Sequence, residues 1–365
     1  MRIAILSILT FVVAASAFAQ PFPDRLESFK NLGGREIEAG ALDQFLEQEM
    51  VAAELPGLSF AVISDSRIVY HRTLGVADRS TGDPVLPSTL FEAASLSKPI
   101  FAYLVMKQVE KGIIDLDTPL HTYLPYPDIA FDDRYKQITA RMVLAHTSGL
   151  PNWRTENPDN RLDIAFAPGT DFRYSGEGYQ YLKNVLVHIL DTDDDGLDRL
   201  VQEEVARPLG ADRLHFTWNE YVAQHKAMGH QNGMPTNKGP HGNVGKFGAG
   251  YSLHTEARGY ASFLIAVMRK EGLSPESWQE MLSLQFRFPP DHHEASGEQI
   301  GWSLGFGIDS TEYGIRYAHG GNNGDFKAYT HFYQDHDFGV VLFCNADHLF
   351  SSGFADKLGE FLYRE

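Results

Sequence analysis

Cysteine is almost absent. The 365 residues contain one, Cys344, so no disulfide can close within the chain. It falls in the apolar run Val340-Val341-Leu342-Phe343-Cys344, where a thiol is expected to be an inert core residue. Basic clusters are also missing. Lys and Arg number 31 against 48 Asp and Glu, for a formal net charge of -17, which argues against nucleic acid and anionic membrane surfaces as partners. Internal repeats and low-complexity tracts are absent as well. Long apolar runs are scarce: one occurs, over residues 3–15, and none follows, so no stable membrane span is expected.

That one run has the layout of a secretory signal peptide. Met1-Arg2 is a short positive segment, residues 3–15 are apolar, and Ala17-Phe18-Ala19 is an A-x-A cleavage site before Gln20. The expectation is removal of residues 1–19 and a soluble, exported product, periplasmic or secreted. No cysteine at the cleavage site offers a lipid attachment point.

Residues 20–365 read as one domain. Residues 40–53 have the pattern of an amphipathic helix. Two strand-like runs, 58–64 and 68–74, flank Asp65-Ser66 and suggest a hairpin. A helix is expected over 99–111, ending at Gly112. Thr139 is placed to cap a short helix running to His146. The spacing of Tyr179, Leu182, Val185, Leu186 and Ile189 is helical, as is that of Leu197, Leu200, Val201 and Val205. A Gly/Pro/Asn-rich loop spans about 229–250. Residues 255–271 read as a helix, and Ser274-Pro275 starts another, with Ser as cap and Pro in the first turn. Residues 306–317, 327–333 and 339–345 are strand-like, and a last helix is expected over 349–364. Strands at both ends with helices between them indicate an α+β fold. Its antiparallel sheet would come from about 36–90 and 245–365, with a mostly helical insertion at about 91–244.

The chemistry centres on Phe91-Glu92-Ala93-Ala94-Ser95-Leu96-Ser97-Lys98. Ser95 and Lys98 stand three apart at a helix start, a spacing that brings side chains onto one face. A serine hydroxyl needs a neighbouring base before it becomes nucleophilic, and a buried, neutral lysine is such a base. The helix dipole at that end favours developing negative charge. A serine nucleophile also needs an oxyanion hole and a proton donor. Two stretches offer them. Phe172-Arg173-Tyr174-Ser175-Gly176-Glu177-Gly178-Tyr179 is a tight Gly-rich turn before a helix. In Tyr317-Ala318-His319-Gly320-Gly321-Asn322-Asn323-Gly324, the glycines let the backbone approach a substrate closely.

Taken in order, S-x-x-K, Y-S-x and H-x-G resemble the serine β-lactamase and penicillin-binding-protein superfamily, and within it the class C β-lactamase-like esterases and peptidases. The likeness runs from about Gly40 to the C-terminus. It is supported by Leu144-Ala145-His146-Thr147-Ser148-Gly149-Leu150-Pro151, by Pro208-Leu209-Gly210 and by the glycine-rich stretch 301–307. The resemblance implies a β-lactamase-like fold and an acyl-enzyme on Ser95, with Lys98 as base partner and Tyr174 as the phenol that shuttles the proton. It places His319, Gly320 and Gly321 along the substrate, and the backbone N–H groups of Ser95 and Asn322 in the oxyanion hole. Whether Lys98 or Tyr174 is the base stays open. Neither cofactor nor metal is called for.

Two positions depart from the family pattern. Gly176 stands where Y-x-N has Asn, and His319-Gly320-Gly321 stands where K-T-G has Lys. A histidine is mostly uncharged at neutral pH and attracts a substrate carboxylate less than a lysine does. Both changes favour a small-molecule ester or D-amino-acid peptide substrate over a β-lactam. β-Lactamase or DD-carboxypeptidase activity is the alternative, and transfer of the acyl group to an alcohol is also open. A non-catalytic cell-wall peptide-binding protein is a third reading, less favoured because Ser95, Lys98 and Tyr174 are all present.

Other patterns compete less well. Gly301-Trp302-Ser303-Leu304-Gly305 matches G-x-S-x-G but lacks the strand–turn–helix setting of a nucleophile elbow. Asp191-Thr192-Asp193-Asp194-Asp195-Gly196 begins like a calcium loop, yet Gln202 takes the place of the closing Glu. Asp291-His292-His293-Glu294 reads as an exposed loop, and His146 beside Ser148 as a hydrogen-bonded turn.

Overall fold

The computed structural model describes residues 25–236 and 246–363. The signal-peptide segment and its cleavage site lie outside the described residues. Nine strands form one antiparallel sheet: β1 (Gly57–Ser64), β2 (Arg67–Asp78), β3 (Asp83–Pro84), β4 (Phe286–Arg287), β5 (Gln299–Trp302), β6 (Gly307–Thr311), β7 (Gly314–Asn322), β8 (Lys327–Tyr333) and β9 (Phe338–Cys344). Their spatial order is β4-β5-β6-β7-β8-β9-β1-β2-β3. The C-terminal strand β9 therefore pairs with the N-terminal strand β1, from Gly339↔Ile63 to Cys344↔Leu58, and both halves of the chain share one sheet.

Successive strand residues face opposite sides, and both sides of this sheet are covered. Leu58, Phe60 and Val62 of β1 and Val340, Leu342 and Cys344 of β9 pack with Leu42, Leu46 and Met50 of α1 (Ala39–Ala52). Phe354, Leu358 and Leu362 of the last helix join that layer. Ala61, Ile63, Val341 and Phe343 face the other way, into the larger core with the central helices. Cys344 is buried in the layer beneath α1, and desolvation pushes its thiol up to about 12.

Between β3 and β4 the chain forms α2 (Ser97–Glu110), α3 (Ala140–Leu144), α4 (Gly176–Ile189), α5 (Asp194–Val201), α6 (Glu220–His225), α7 (Ala257–Met268) and α8 (Pro275–Leu282). Their caps follow the residue chemistry. Thr139, Ser175, Asp193, Asn219, Glu256 and Ser274 each accept a first-turn N–H with a side-chain oxygen. Helix α2 is buried nearly all round, from Ser97 to Met106, so whatever it carries is held on a rigid central element. No helix among the described residues is long and apolar enough to cross a membrane.

Several boundaries differ from the sequence reading. Residues 306–317 form two strands, β6 and β7, because the chain reverses at Gly314 with φ +101. The helix expected over 255–271 is shorter, because Glu256 caps it from outside. The last helix, α9 (Phe354–Tyr363), starts five residues later than expected, after a turn held by Ser352 Oγ accepting the Phe354 N–H. The helical region is not purely helical, since Phe91↔Thr255 and Glu92↔His254 pair as a short ladder. Strand β5 is an addition to the strands expected from the sequence. The Asp65-Ser66 hairpin has both residues at positive φ, 51° and 53°, as a two-residue turn between right-twisted strands requires.

Candidate active site

Ser95 sits in a 3-10 turn, Ala94–Leu96, that runs directly into α2. The turn is held from two sides. Ala93 donates its N–H to Leu253 O at 2.8 Å, and the Ser97 hydroxyl donates to Ala94 O at 2.6 Å. Ala94 has φ +50, a left-handed conformation that alanine adopts only at a cost. Strand β7 passes hard against this turn. A side chain at Gly321 would put its Cβ 2.5 Å from Ala93 O and 3.3 Å from the Ala94 Cβ, so glycine is what allows the strand to approach the serine.

Lys98 is fully buried. Its Nζ donates to Ser95 Oγ at 3.1 Å and to the Gly250 carbonyl at 2.9 Å. It lies 4.6 Å from the centroid of the Tyr174 ring and 5.5 Å from that of Tyr179. Among the described residues no carboxylate compensates it, and desolvation pulls its pKa down to about 7. A lysine in this state offers a lone pair near neutral pH. Gly250 belongs to the loop noted for its glycines, but nothing in the sequence marks its carbonyl as a partner for Lys98.

Tyr174 is held by the backbone before α4. Its N–H bonds Glu294 Oε2 at 2.9 Å, and its hydroxyl shares a side-chain hydrogen bond with Ser95. Burial raises its pKa well above that of a free phenol, against the smaller lowering effect of the Ser95 bond, so the ring oxygen keeps its proton at neutral pH. Ser95, Lys98 and Tyr174 thus come together from two separate segments of the helical region.

The cavity above Ser95 has a volume of about 790 Å³. Gly320, Gly321 and Asn322 form one wall, and Trp153, Phe216, Trp218 and Tyr251 give it an aromatic lining. His319 does not line it, contrary to the substrate-contacting place expected for it. It is 4% exposed and lies behind Tyr174, with ring centroids 6.0 Å apart. Its Nδ1–H is turned to Gly320 O at 2.8 Å. Desolvation, with the nearby Lys98 charge adding to it, lowers its pKa to about 3. The side chain is therefore neutral and buried outside the cavity lining. Asn322 stands at the end of β7, its Oδ1 accepting from Lys327 Nζ at 2.8 Å and from the Gly324 N–H at 2.9 Å.

The charged groups on the cavity wall are paired. Arg154 grips Glu177 through Nε and Nη2, both at 3.0 Å, and bonds Asp128 through Nη1 at 2.9 Å. Glu92 is 3.0 Å from Lys226 Nζ and accepts from Asn323 Nδ2 at 2.8 Å. His254 stays neutral, because burial lowers its pKa to about 4. Gly176, the position where the family pattern has Asn, has no room for a side chain. A Cβ there would lie 2.6–2.9 Å from three ring carbons of Trp153. No sequence motif beyond Pro151 marks Asn152, Trp153 and Arg154 as lining the site.

The competing motifs stay outside this arrangement. Ser303 is buried in the turn between β5 and β6, its hydroxyl bonded to Phe306 O at 3.1 Å. Asp193 caps α5, and Asp194 pairs with Lys183 at 2.8 Å. His292 Nε2 lies 3.1 Å from Asp171 Oδ1. His146 bonds the backbone of Ser175 rather than Ser148.

A family model described as Beta-lactamase matches residues 42–363. The esterase EstB of Burkholderia gladioli is 36% identical over 138 residues, 37% of this chain and 35% of that protein. Protein flp of Staphylococcus aureus is 22% identical over 205 residues, 52% of this chain and 41% of that protein. The chain thus spans well under half the length of these two relatives. Among solved structures, an octameric penicillin-binding protein homologue from Pyrococcus abyssi superposes with TM-score 0.75 at 22% identity, covering 89% of this chain and 77% of its own. EstCE1, described as a hydrolase with promiscuous acyltransferase activity, gives TM-score 0.74 at 18% identity over 89% and 98%. At such identities the superpositions show a shared fold.

Proposed function

The chain belongs to the beta-lactamase family, a family of serine hydrolases, and on that premise we propose that it hydrolyses small esters through a covalent acyl-enzyme on Ser95. The observation that carries this reading is the buried, uncompensated Lys98 amine 3.1 Å from Ser95 Oγ. In the proposed cycle, neutral Lys98 takes the Ser95 proton as Oγ attacks the ester carbon. The backbone N–H groups of Ser95 and Asn322 receive the oxyanion. Tyr174 gives its proton to the leaving alkoxide and regains one from Lys98. Water then attacks the acyl-enzyme by the same route in reverse.

The cavity supports a neutral substrate. Among the described residues lining it, Arg154 is the one cationic side chain, and Glu177 and Asp128 already occupy it. A β-lactam carboxylate finds no unengaged counter-charge there, and the His319 ring is neutral and does not line the cavity. Contacts to charged groups are worth about 1.5–3 kcal/mol each. The loss of two such contacts, through His319 and Gly176, costs roughly two to four decades in rate constant. EstB is itself called an esterase, which agrees with this choice. Export after cleavage near Ala19 is part of the same proposal, and N-terminal sequencing of the secreted product tests it.

The deciding experiment compares kcat/KM for p-nitrophenyl butyrate with that for nitrocefin on one preparation. The ester is expected to be the better substrate by at least a hundredfold. A nitrocefin value equal to or above the ester value moves β-lactam hydrolysis into first place.

A further inference from the structure

Besides the Glu294 bond to its own N–H, Tyr174 is held in place through a second residue. His146 lies just beyond α3 with φ +58, a backbone conformation uncommon for a histidine. That conformation turns two of its acceptors toward the same short segment. Its carbonyl accepts the Arg173 N–H at 2.9 Å, and its Nδ1 accepts the Ser175 N–H at 2.9 Å. The residues on either side of Tyr174 thus both donate their backbone N–H to His146. The His146 ring then lies against the Tyr174 ring itself, with centroids 4.2 Å apart and planes 30° from parallel. Trp302 at 5.1 Å, Tyr179 at 5.3 Å and Phe172 at 5.7 Å hold the imidazole from its other sides. The side chain is fully buried.

We propose that His146 is a positioning residue for the active site, clamping the Arg173–Ser175 backbone and the Tyr174 ring so that the phenol oxygen stays on Ser95. It touches no substrate and transfers no proton. The inference rests on the reading of Tyr174 as the proton donor. Because Nδ1 accepts the Ser175 N–H, the ring proton sits on Nε2, and the clamp works only with the neutral imidazole. Burial keeps it so, holding the His146 pKa well below that of a free imidazole, with the nearby Lys98 adding to that effect. Displacement of a catalytic group by about 1 Å can cost a hundredfold in rate, so a modest loosening of this clamp has a large readout.

Three substitutions separate positioning from mere packing. His146→Phe keeps an aromatic ring and removes the Nδ1 acceptor. His146→Gln keeps a polar side chain but puts its amide one bond too far out, and it serves if the Phe variant does not fold. His146→Asn keeps an acceptor at the position of Nδ1 and tolerates positive φ. The Phe and Gln variants are expected to lose about tenfold to a hundredfold in kcat with little change in KM, and the Asn variant to recover most of that loss. The same substitutions are then made in a Tyr174→Phe background, where no phenol oxygen remains to be placed. There they should have no further effect on the rate of Ser95 labelling by a fluorophosphonate.

Equal losses in both backgrounds overturn the proposal, because His146 would then act on the fold or on Ser95 directly. Full activity in the Phe and Gln variants overturns it as well. If Tyr174→Phe alone turns over ester normally, the proton-donor reading falls and this inference falls with it, an outcome distinct from the other two.

Discussion

The Trp153 indole fills the space in which a side chain at Gly176 would begin, with ring carbons 2.6–2.9 Å from where a Cβ would stand. The two residues are 23 positions apart and meet on the cavity wall. Asn152 ties them together, its Oδ1 accepting the Gly176 N–H at 3.0 Å. The aromatic surface beside Ser95 and the absence of a side chain at 176 are therefore one feature. Tyr251 packs edge-on against the same indole, with centroids 5.3 Å apart.

Gly176→Ala is accordingly expected to destabilise the protein by about 1–3 kcal/mol, the usual cost of an overpacked contact. The cost should disappear when the partner is removed. Gly176→Ala combined with Trp153→Ala is expected to be no less stable than Trp153→Ala alone, a coupling that denaturant unfolding of the four proteins measures. Additive losses would mean that the indole and Gly176 do not compete for this space.

Lys98 sets the pH dependence. Its pKa is pulled down to about 7 by burial, so below that pH it is protonated and has no lone pair to accept the Ser95 proton. The expected profile of kcat/KM for a neutral ester falls about tenfold per pH unit on the acid side of pH 7 and is level just above it. A phenolate base would place the limb far into the alkaline range, because burial raises the Tyr174 pKa. The position of the limb therefore assigns the base. A limb above pH 10 would give that role to Tyr174.

Much of this site is legible in the sequence, for physical reasons. Ser95 and Lys98 lie three apart on one short helical segment, so local geometry alone joins them. The apolar character of α2 already implies that Lys98 is buried, and burial is what lowers its pKa. The shared sheet follows from strand-like runs at both ends of the chain. Other parts depend on long-range packing. Period-two alternation on β7 puts His319 and Gly321 on one face and Gly320 and Asn322 on the other, but no local pattern says that the His319 ring turns behind Tyr174. The Arg154–Glu177 pair joins a loop to the first turn of α4, 23 residues on. Gly314 divides what reads as one strand into two, since a single positive φ outweighs the β propensity on either side of it.

The central claim is that Ser95 carries the acyl group. The most direct measurement is mass-spectrometric mapping of the protein after reaction with a fluorophosphonate, alongside the Ser95→Ala and Ser303→Ala variants. The predicted result is a single adduct on the peptide containing Ser95, abolished by Ser95→Ala and unaffected by Ser303→Ala, whose target hydroxyl is buried and bonded to Phe306 O. An adduct that persists in Ser95→Ala, or that maps to Ser303, would contradict the account.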